Sequence, residues 1–239
     1  MEVSLFIPCF IDQIYPDTAH NIVKILEKCG CKVFYNPEQT CCDQPSFNSG
    51  FWDETRELAK KFITDFNDDR IIVGPSASCV GFVRNYYEKL FDDQREKQEV
   101  LKLKTRIFEF NDFLVNHLNI EDLGATFPFK VTFHDACAAL REYGVKEEPR
   151  KLLKKVKGLE LIEMEDTETC CGFGGTFATK FKDISTAMTE QKVSNAIKTG
   201  AEFIVSTEAS CLLNINSYIR KQNLPIKTIH IADVLASGY

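Results

Sequence analysis

Thr169-Cys170-Cys171-Gly172-Phe173-Gly174-Gly175 has a partner in the same chain, Thr40-Cys41-Cys42-Asp43-Gln44-Pro45, at an offset of 129. Each paired-cysteine turn lies between two further cysteines that also recur. Cys9 matches Cys137 at an offset of 128, and Cys79 matches Cys211 at 132. The flanks agree: Val3-Ser-Leu-Phe-Ile-Pro-Cys9 against Val131-Thr-Phe-His-Asp-Ala-Cys137, and Ile72-Val73…Ala77-Ser78-Cys79 against Ile204-Val205…Ala209-Ser210-Cys211. A near-constant offset in three separate blocks marks an internal duplication. Eight of the ten cysteines belong to it, four in each half.

Outward from the cysteines, the same order of segments is read twice. Val3–Pro8, Lys32–Tyr35 and Ile71–Val73 are short apolar runs that predict strands, each followed by a duplicated cysteine. Helices are expected from Asp17 or Thr18 to Gly30, over 51–66 with Trp52, Leu58, Ala59, Phe62 and Ile63 buried, and over 80–90. The charged segment 92–99 reads as a solvated helix end or loop, and 106–118 carries one more apolar stripe. After a seam at 119–128, strands are expected at 130–133, 159–164, 203–205 and 227–231, with helices at 149–156, 181–199 and 211–220. Short apolar strands alternating with helices indicate parallel sheets covered on both faces. The fold class expected is therefore α/β: two similar three-layer open parallel-sheet, Rossmann-like halves, 1–121 and 122–239, related by a pseudo-twofold axis.

A net charge of −6 argues against a general nucleic-acid or anionic-membrane binder. The N-terminus has no basic region, its apolar run is broken by Pro8, and no stretch approaches the ~20 apolar residues of a membrane span. A cytoplasmic location follows as the expectation, with peripheral membrane attachment only through partners. In a reducing compartment, ten cysteines read as metal ligands or redox groups rather than structural disulfides. The adjacent pairs Cys41-Cys42 and Cys170-Cys171 cannot reach ordinary disulfide geometry with each other.

Residues just beyond the carboxyl ends of parallel strands line one rim of the sheet. Cys9, Cys41, Cys42 and Cys79 are thus expected to converge, and Cys137, Cys170, Cys171 and Cys211 likewise. Four thiolates suit tetrahedral zinc or an iron–sulfur cluster. Gly172–Gly175 would let backbone wrap the metal with positive φ, and helix N-termini would offset the negative charge. The competing reading is buried apolar cysteine. It fits Cys31, whose counterpart is Leu159, and Cys29 and Cys31 are not kept as a pair in the second half.

The pattern Cys-x(31)-Cys-Cys-x(36)-Cys, then Cys-x(32)-Cys-Cys-x(39)-Cys, resembles the duplicated cysteine-rich "CCG" domain. That domain is shared by the B subunit of heterodisulfide reductase, the C subunit of anaerobic glycerol-3-phosphate dehydrogenase and lactate utilization protein A. The segments Cys41–Gly50 and Phe133-His-Asp-Ala-Cys137, the absence of a ferredoxin-type Cys-x-x-Cys-x-x-Cys run and the lack of a membrane helix make the stand-alone lactate utilization A group the most similar. The resemblance implies an iron–sulfur electron-transfer subunit of a flavin- and NAD-independent complex oxidising L-lactate to pyruvate, with B-like and C-like partner subunits. The chain alone is not expected to turn over substrate. It implies one or two [4Fe–4S] clusters, with zinc as the alternative metal. A heterodisulfide-type thiol–disulfide oxidoreductase and a zinc-stabilised, non-redox scaffold are the alternative functions. The heterodisulfide reductase relative supplies five thiols per site through a terminal Cys-x-x-Cys. Here Ser76 and Glu208 stand at the extra positions, leaving four thiols and favouring an ordinary cluster or a metal ion.

Among other groups, His134 lies three residues before Cys137 and is the candidate catalytic residue, as proton shuttle or as a hydrogen-bond partner of a metal sulfur. A partly buried, backbone-satisfied histidine is the plainer reading. Arg141 reads as a surface residue that could hold a carboxylate, and Glu208 as a metal ligand or a helix-start charge. Asp43 replaces the glycine of the motif, tuning the site or loosening the turn. His20, His117 and His230 are given no role, and Gly172–Gly175 lacks the full dinucleotide-binding spacing.

Overall fold

The apolar run after Met1 becomes strand β1 (Glu2–Leu5), flanked by β2 (Lys32–Tyr35) and β3 (Ile71–Gly74), with β4 (Ile107–Glu109) beyond β3. The computed structural model describes residues 1–238. All pairings are parallel, in the order β2-β1-β3-β4. The second half repeats this with β5 (Lys130–Phe133), β6 (Glu160–Leu161), β7 (Phe203–Ser206) and β8 (Lys227–His230), in the order β6-β5-β7-β8. In both sheets the connection leaves the first strand on one side and returns on the other. A crevice therefore opens between β1 and β3, and between β5 and β7, beyond the carboxyl ends of the strands.

The first half carries helices α1 (Cys9–Ile14), α2 (Pro16–Lys28), α3 (Gln44–Asn48), α4 (Trp52–Asp65), α5 (Ala77–Tyr86), α6 (Gln94–Arg106) and α7 (Phe110–Asp112). The second carries α8 (Glu147–Lys154), α9 (Phe177–Lys180), α10 (Lys182–Lys198), α11 (Ala209–Gln222) and α12 (Ile231–Leu235). Helix α2 shows the local logic. Pro16 sits at its first position, where no amide hydrogen bond is lost. Thr18, Ile22, Ile25 and Leu26 form its buried stripe, and Gly30 turns the chain away at φ +79°.

Three sequence expectations need amendment. The stripe at 106–118 hides a strand: Ile107–Glu109 pairs with β3, and only then does the chain turn helical. Segment 92–99 opens a full helix, because the Asp93 carboxylate accepts from the amides of Arg95 and Glu96. Trp52 is not buried but 57% exposed, lying over Phe47 with its indole N–H donating to the Phe47 carbonyl at 3.0 Å.

The halves are fused rather than strung together. One apolar cluster takes Val3, Leu5 and Ile22 from the first half, Val131, Phe133 and Ile231 from the second, and Phe110, Phe113 and Leu114 from the segment leading across. Helix α5 crosses a wide helical turn at Ala139–Tyr143 so closely that a Cβ on Gly81 would lie 3.3 Å from the Glu142 Cβ. Tyr86 Oη donates to Glu142 Oε2 at 2.8 Å across the same seam, and Thr18 and Asn21 donate to Asp233 across another. The carboxyl ends of both sheets are thereby turned toward one another.

Candidate metal centre

In each half the four duplicated thiols arrive from three strand ends. Cys9 is the first residue of α1, just after β1; Cys41 and Cys42 sit in the loop after β2; Cys79 is the third residue of α5, after β3. Cys137, Cys170, Cys171 and Cys211 occupy the matching positions. Cys9 Sγ and Cys41 Sγ are 3.3 Å apart. From there the sulfur contacts run on to Cys42 and Cys79, and in the second half from Cys137 through Cys170 and Cys171 to Cys211.

The paired-cysteine turns share one geometry. The amide of Asp43 donates to Cys41 Sγ, and the amide of Gly172 to Cys170 Sγ, both at 3.4 Å. Asp43 and Gly172 both hold positive φ, at 63° and 87°. Asp43 thus reproduces the glycine conformation rather than loosening the turn, with its Oδ1 accepting from Ser46 Oγ. Gly172 has no such freedom, since a Cβ would lie 2.5 Å from the Ser185 carbonyl oxygen. Behind the turns, Tyr87 Oη donates to the Cys42 carbonyl, while Thr189 and Asn214 donate to that of Cys171. Buried Lys192 spans from α10 to the carbonyls of Asp166 and Thr167, bracing the loop that delivers Cys170.

Crowding sets the charge state. Hydrogen bonds from Cys42 and then Cys9 pull the Cys41 thiol down to about 3, and those from Cys137 and Cys171 pull Cys170 down to about 2. Their partners are pushed the other way: Cys9, Cys42, Cys137 and Cys171 stay protonated, chiefly as hydrogen-bond donors to these thiolates. Cys211 falls to about 6 through Cys171, and His134 also favours its thiolate. Each set thus holds anionic sulfur in a partly buried place, the chemistry of a soft-metal site.

Both sets open on one cavity of about 200 Å³ between the halves. Its walls include Cys9, Cys41, Cys42 and Cys79 from one side and Cys137 and Cys211 from the other; among the described residues, no lysine or arginine lines it. Glu208 lines it and is buried. Its carboxylate accepts from Ser78 N and Ser78 Oγ, each at 2.7 Å, and from Ser76 Oγ at 2.9 Å. Burial, with the Cys211 charge, raises its pKa to about 7. Glu208 begins α11 but makes no side-chain bond there; it caps α5 of the opposite half instead. The helix-start reading of Glu208 is therefore right in kind, but the helix belongs to the other half.

A cysteine-rich domain model, CCG, matches residues 3–84 and again 131–216, the two segments that carry the thiol sets. The chain belongs to this cysteine-rich domain family. It is 42% identical over 99% of its length, and 98% of the relative's, to a lactate utilization protein A of an Exiguobacterium species. It is 39% identical to the lactate utilization protein A of Bacillus subtilis, over 99% of this chain and all of that one. A hypothetical protein from Helicobacter pylori has the same fold at a TM-score of 0.70 and 11% identity, covering all of this chain and 49% of that one.

Other candidates are placed apart. Cys31 is a core residue, and half-buried Cys29 packs beside it, away from the cavity. Arg141 is exposed and absent from the cavity wall. His230 proves structural: Nδ1 accepts from the Ala232 amide to cap α12, and Nε2 faces the carbonyls of Pro75 and Thr207. His134 is fully buried beside Cys171 and Cys211. Sequence reasoning missed Lys192 and the buried pair in which Arg150 grips Asp135 through two nitrogens at 2.9 and 2.8 Å. Asp135 lies in the quoted motif before Cys137, so a carboxylate in that motif was the available signal. No helix of the described residues is long and apolar enough to cross a membrane.

Proposed function

We propose that this chain is the iron–sulfur electron-transfer subunit of a lactate utilization system, one that oxidises L-lactate to pyruvate together with B-like and C-like partner subunits. The observation that carries the reading is that two four-thiol sets, each assembled from three strand ends, flank one cavity between the halves. The names of the full-length relatives supply the lactate context.

The residues fit metal. Each set offers four sulfurs, one of them strongly acidic, and the second adds the buried His134 imidazole beside Cys171 and Cys211. Cys9, Cys41, Cys42 and Cys79 would hold one group and Cys137, Cys170, Cys171 and Cys211 the other, [4Fe–4S] clusters being preferred over zinc. When bound, such clusters accept and pass on single electrons. The chain's own groups do the rest. The Asp43 and Gly172 amides and the starts of α5 and α11 stabilise negative charge. Lys192 and Arg150 fix the loops that deliver the sulfurs.

The cavity sets a limit on what binds there. Among the described residues its one ionisable group other than thiols is the Glu208 carboxyl, and no cation lines it to pair with a carboxylate. A free 2-hydroxy acid is poorly matched to it, so lactate binding belongs to a partner subunit while this chain carries electrons. The same thiol-rich, cation-free wall is what favours the thiol–disulfide alternative.

Anaerobic purification, with iron and sulfide analysis and EPR of the reduced protein, tests the reading. The expected product is brown, and Cys9→Ala or Cys137→Ala each removes the iron of one half. A colourless, iron-free protein after reconstitution overturns it. Disulfide-dependent turnover lost in Cys170→Ala would favour the oxidoreductase alternative, and zinc at full occupancy without a redox response the scaffold.

A further inference from the structure

His134 follows β5, held by its amide donating to the Val205 carbonyl at 2.8 Å. Its counterpart in the first half is Phe6, whose amide makes the same bond to Val73 at 3.0 Å. Both side chains are completely buried. Phe6 sits among Phe62 and Phe66, as an apolar ring should. His134 occupies the matching place with neither ring nitrogen bonded to backbone or to any oxygen or nitrogen, the Cys211 sulfur being its one polar neighbour, and it does not line the cavity. Burying a polar ring with so little to bond to is unfavourable. One ring nitrogen, Cys171 Sγ and Cys211 Sγ lie within 4.8 Å of one another.

From this we infer that His134 is a metal ligand, giving the second centre a mixed nitrogen–sulfur donor set that the first centre lacks. The inference rests on the metal-binding reading above and deepens it. A neutral imidazole nitrogen is a ligand for iron and for zinc alike. Ligation gives the buried ring a strong partner in a place where backbone and other side chains offer none. The two centres are therefore chemically different. A nitrogen donor at one centre only gives the two centres different reduction potentials.

The test uses full-length protein labelled with 15N-histidine and reconstituted anaerobically with iron and sulfide. Pulsed EPR is expected to show strong coupling from a directly bound nitrogen, absent in His134→Phe, which copies Phe6, and in His134→Ala. Redox titration is expected to show two potentials, one of which shifts in both variants while the other stays. Iron-loaded wild type with no strong nitrogen coupling overturns the inference and leaves the iron–sulfur reading standing. If no iron is taken up, that reading fails, and Co(II) added to the metal-free protein decides His134 by itself. Nitrogen coupling to cobalt that disappears in His134→Phe supports the ligand, and its absence in wild type overturns it.

Discussion

Replacing Glu208 by alanine probes the contact on which the shared cavity depends. The substitution removes three hydrogen bonds, from Ser78 N, Ser78 Oγ and Ser76 Oγ, at the start of the opposite half's helix. The two hydroxyls can partly re-pair, being 3.2 Å apart, but the Ser78 amide is left without an acceptor. At about 1 kcal/mol for each bond, the loss in metal-free protein is about 3 kcal/mol near pH 6. The pH dependence gives the sharper measure. The folded pKa of about 7 lies above the ordinary glutamate value of 4.5. The folded state therefore binds the proton more tightly, and the Glu208 contribution is full below the unfolded pKa and is lost as pH rises through about 7. One unit below the folded pKa this proton-linked part supplies about 1.4 kcal/mol of the total, and well above it nothing, leaving the hydrogen bonds to the carboxylate. The cost of Glu208→Ala is thus expected to fall by about that amount between pH 6 and pH 8.5. Denaturant titrations of the two reduced, metal-free proteins at both pH values measure it. Glu208→Gln, which keeps an acceptor but cannot ionise, is expected to lose the pH dependence and keep most of the stability. A Glu208→Ala cost that is the same at both pH values, or larger at pH 8.5, refutes the reasoning.

Two further outcomes are expected. Gly172→Ala forces a Cβ to within 2.5 Å of the Ser185 carbonyl at positive φ, whereas Gly30→Ala at φ +79° meets nothing within 4 Å. Gly30→Ala is expected to cost roughly 1–2 kcal/mol for the left-handed backbone, and Gly172→Ala clearly more, read as the difference between their thermal midpoints. Glu109 is buried beneath α7, accepting from Asn111 and Asp112, and burial lifts its pKa to about 8. Its folded pKa is also raised, so its contribution is lost as pH rises through about 8; Glu109→Gln is expected to flatten the decline in wild-type stability between pH 7 and pH 9, followed by denaturant midpoint.

Much of this was legible in the chain because duplication supplies its own control. The eight thiols kept their spacing while Cys29 and Cys31 did not, and it is those eight that gather at the sheet rims. Strands β1, β3, β5 and β7 were readable because central parallel strands are buried on both faces and so appear as short, mostly apolar runs, broken in β1 and β5 only by Ser4 and Thr132 after a charged first residue. Strand β4 was not, because three residues inside a stripe that also fits a helix reveal themselves only by pairing with β3. Trp52 misled for a related reason. It keeps the helical period, yet α4 overhangs the core at its first turn, and the indole rests on Phe47 instead. The partner of Glu208 was illegible in principle. Its bond spans 130 positions and the seam between halves, and no local pattern encodes which helix a carboxylate will cap.

The places where the two halves differ follow a logic of their own. A duplicated fold supplies two equivalent positions for everything, and two identical redox centres on either side of one cavity would have no preferred direction of transfer. Beside the thiol sets the copies depart from each other at two positions. Ser76 faces Glu208 as its counterpart and bonds to it, so a single carboxylate occupies the region where symmetry would put two mutually repelling ones. Phe6 answers His134, placing one imidazole against two thiols on one side and an apolar ring on the other. The scaffold stays symmetric because the strand order and the sulfur sets must both be kept to build each site. Phe6 and His134 make the same backbone bond to the neighbouring strand, so the side chain beside the thiols changes while the fold around it stays.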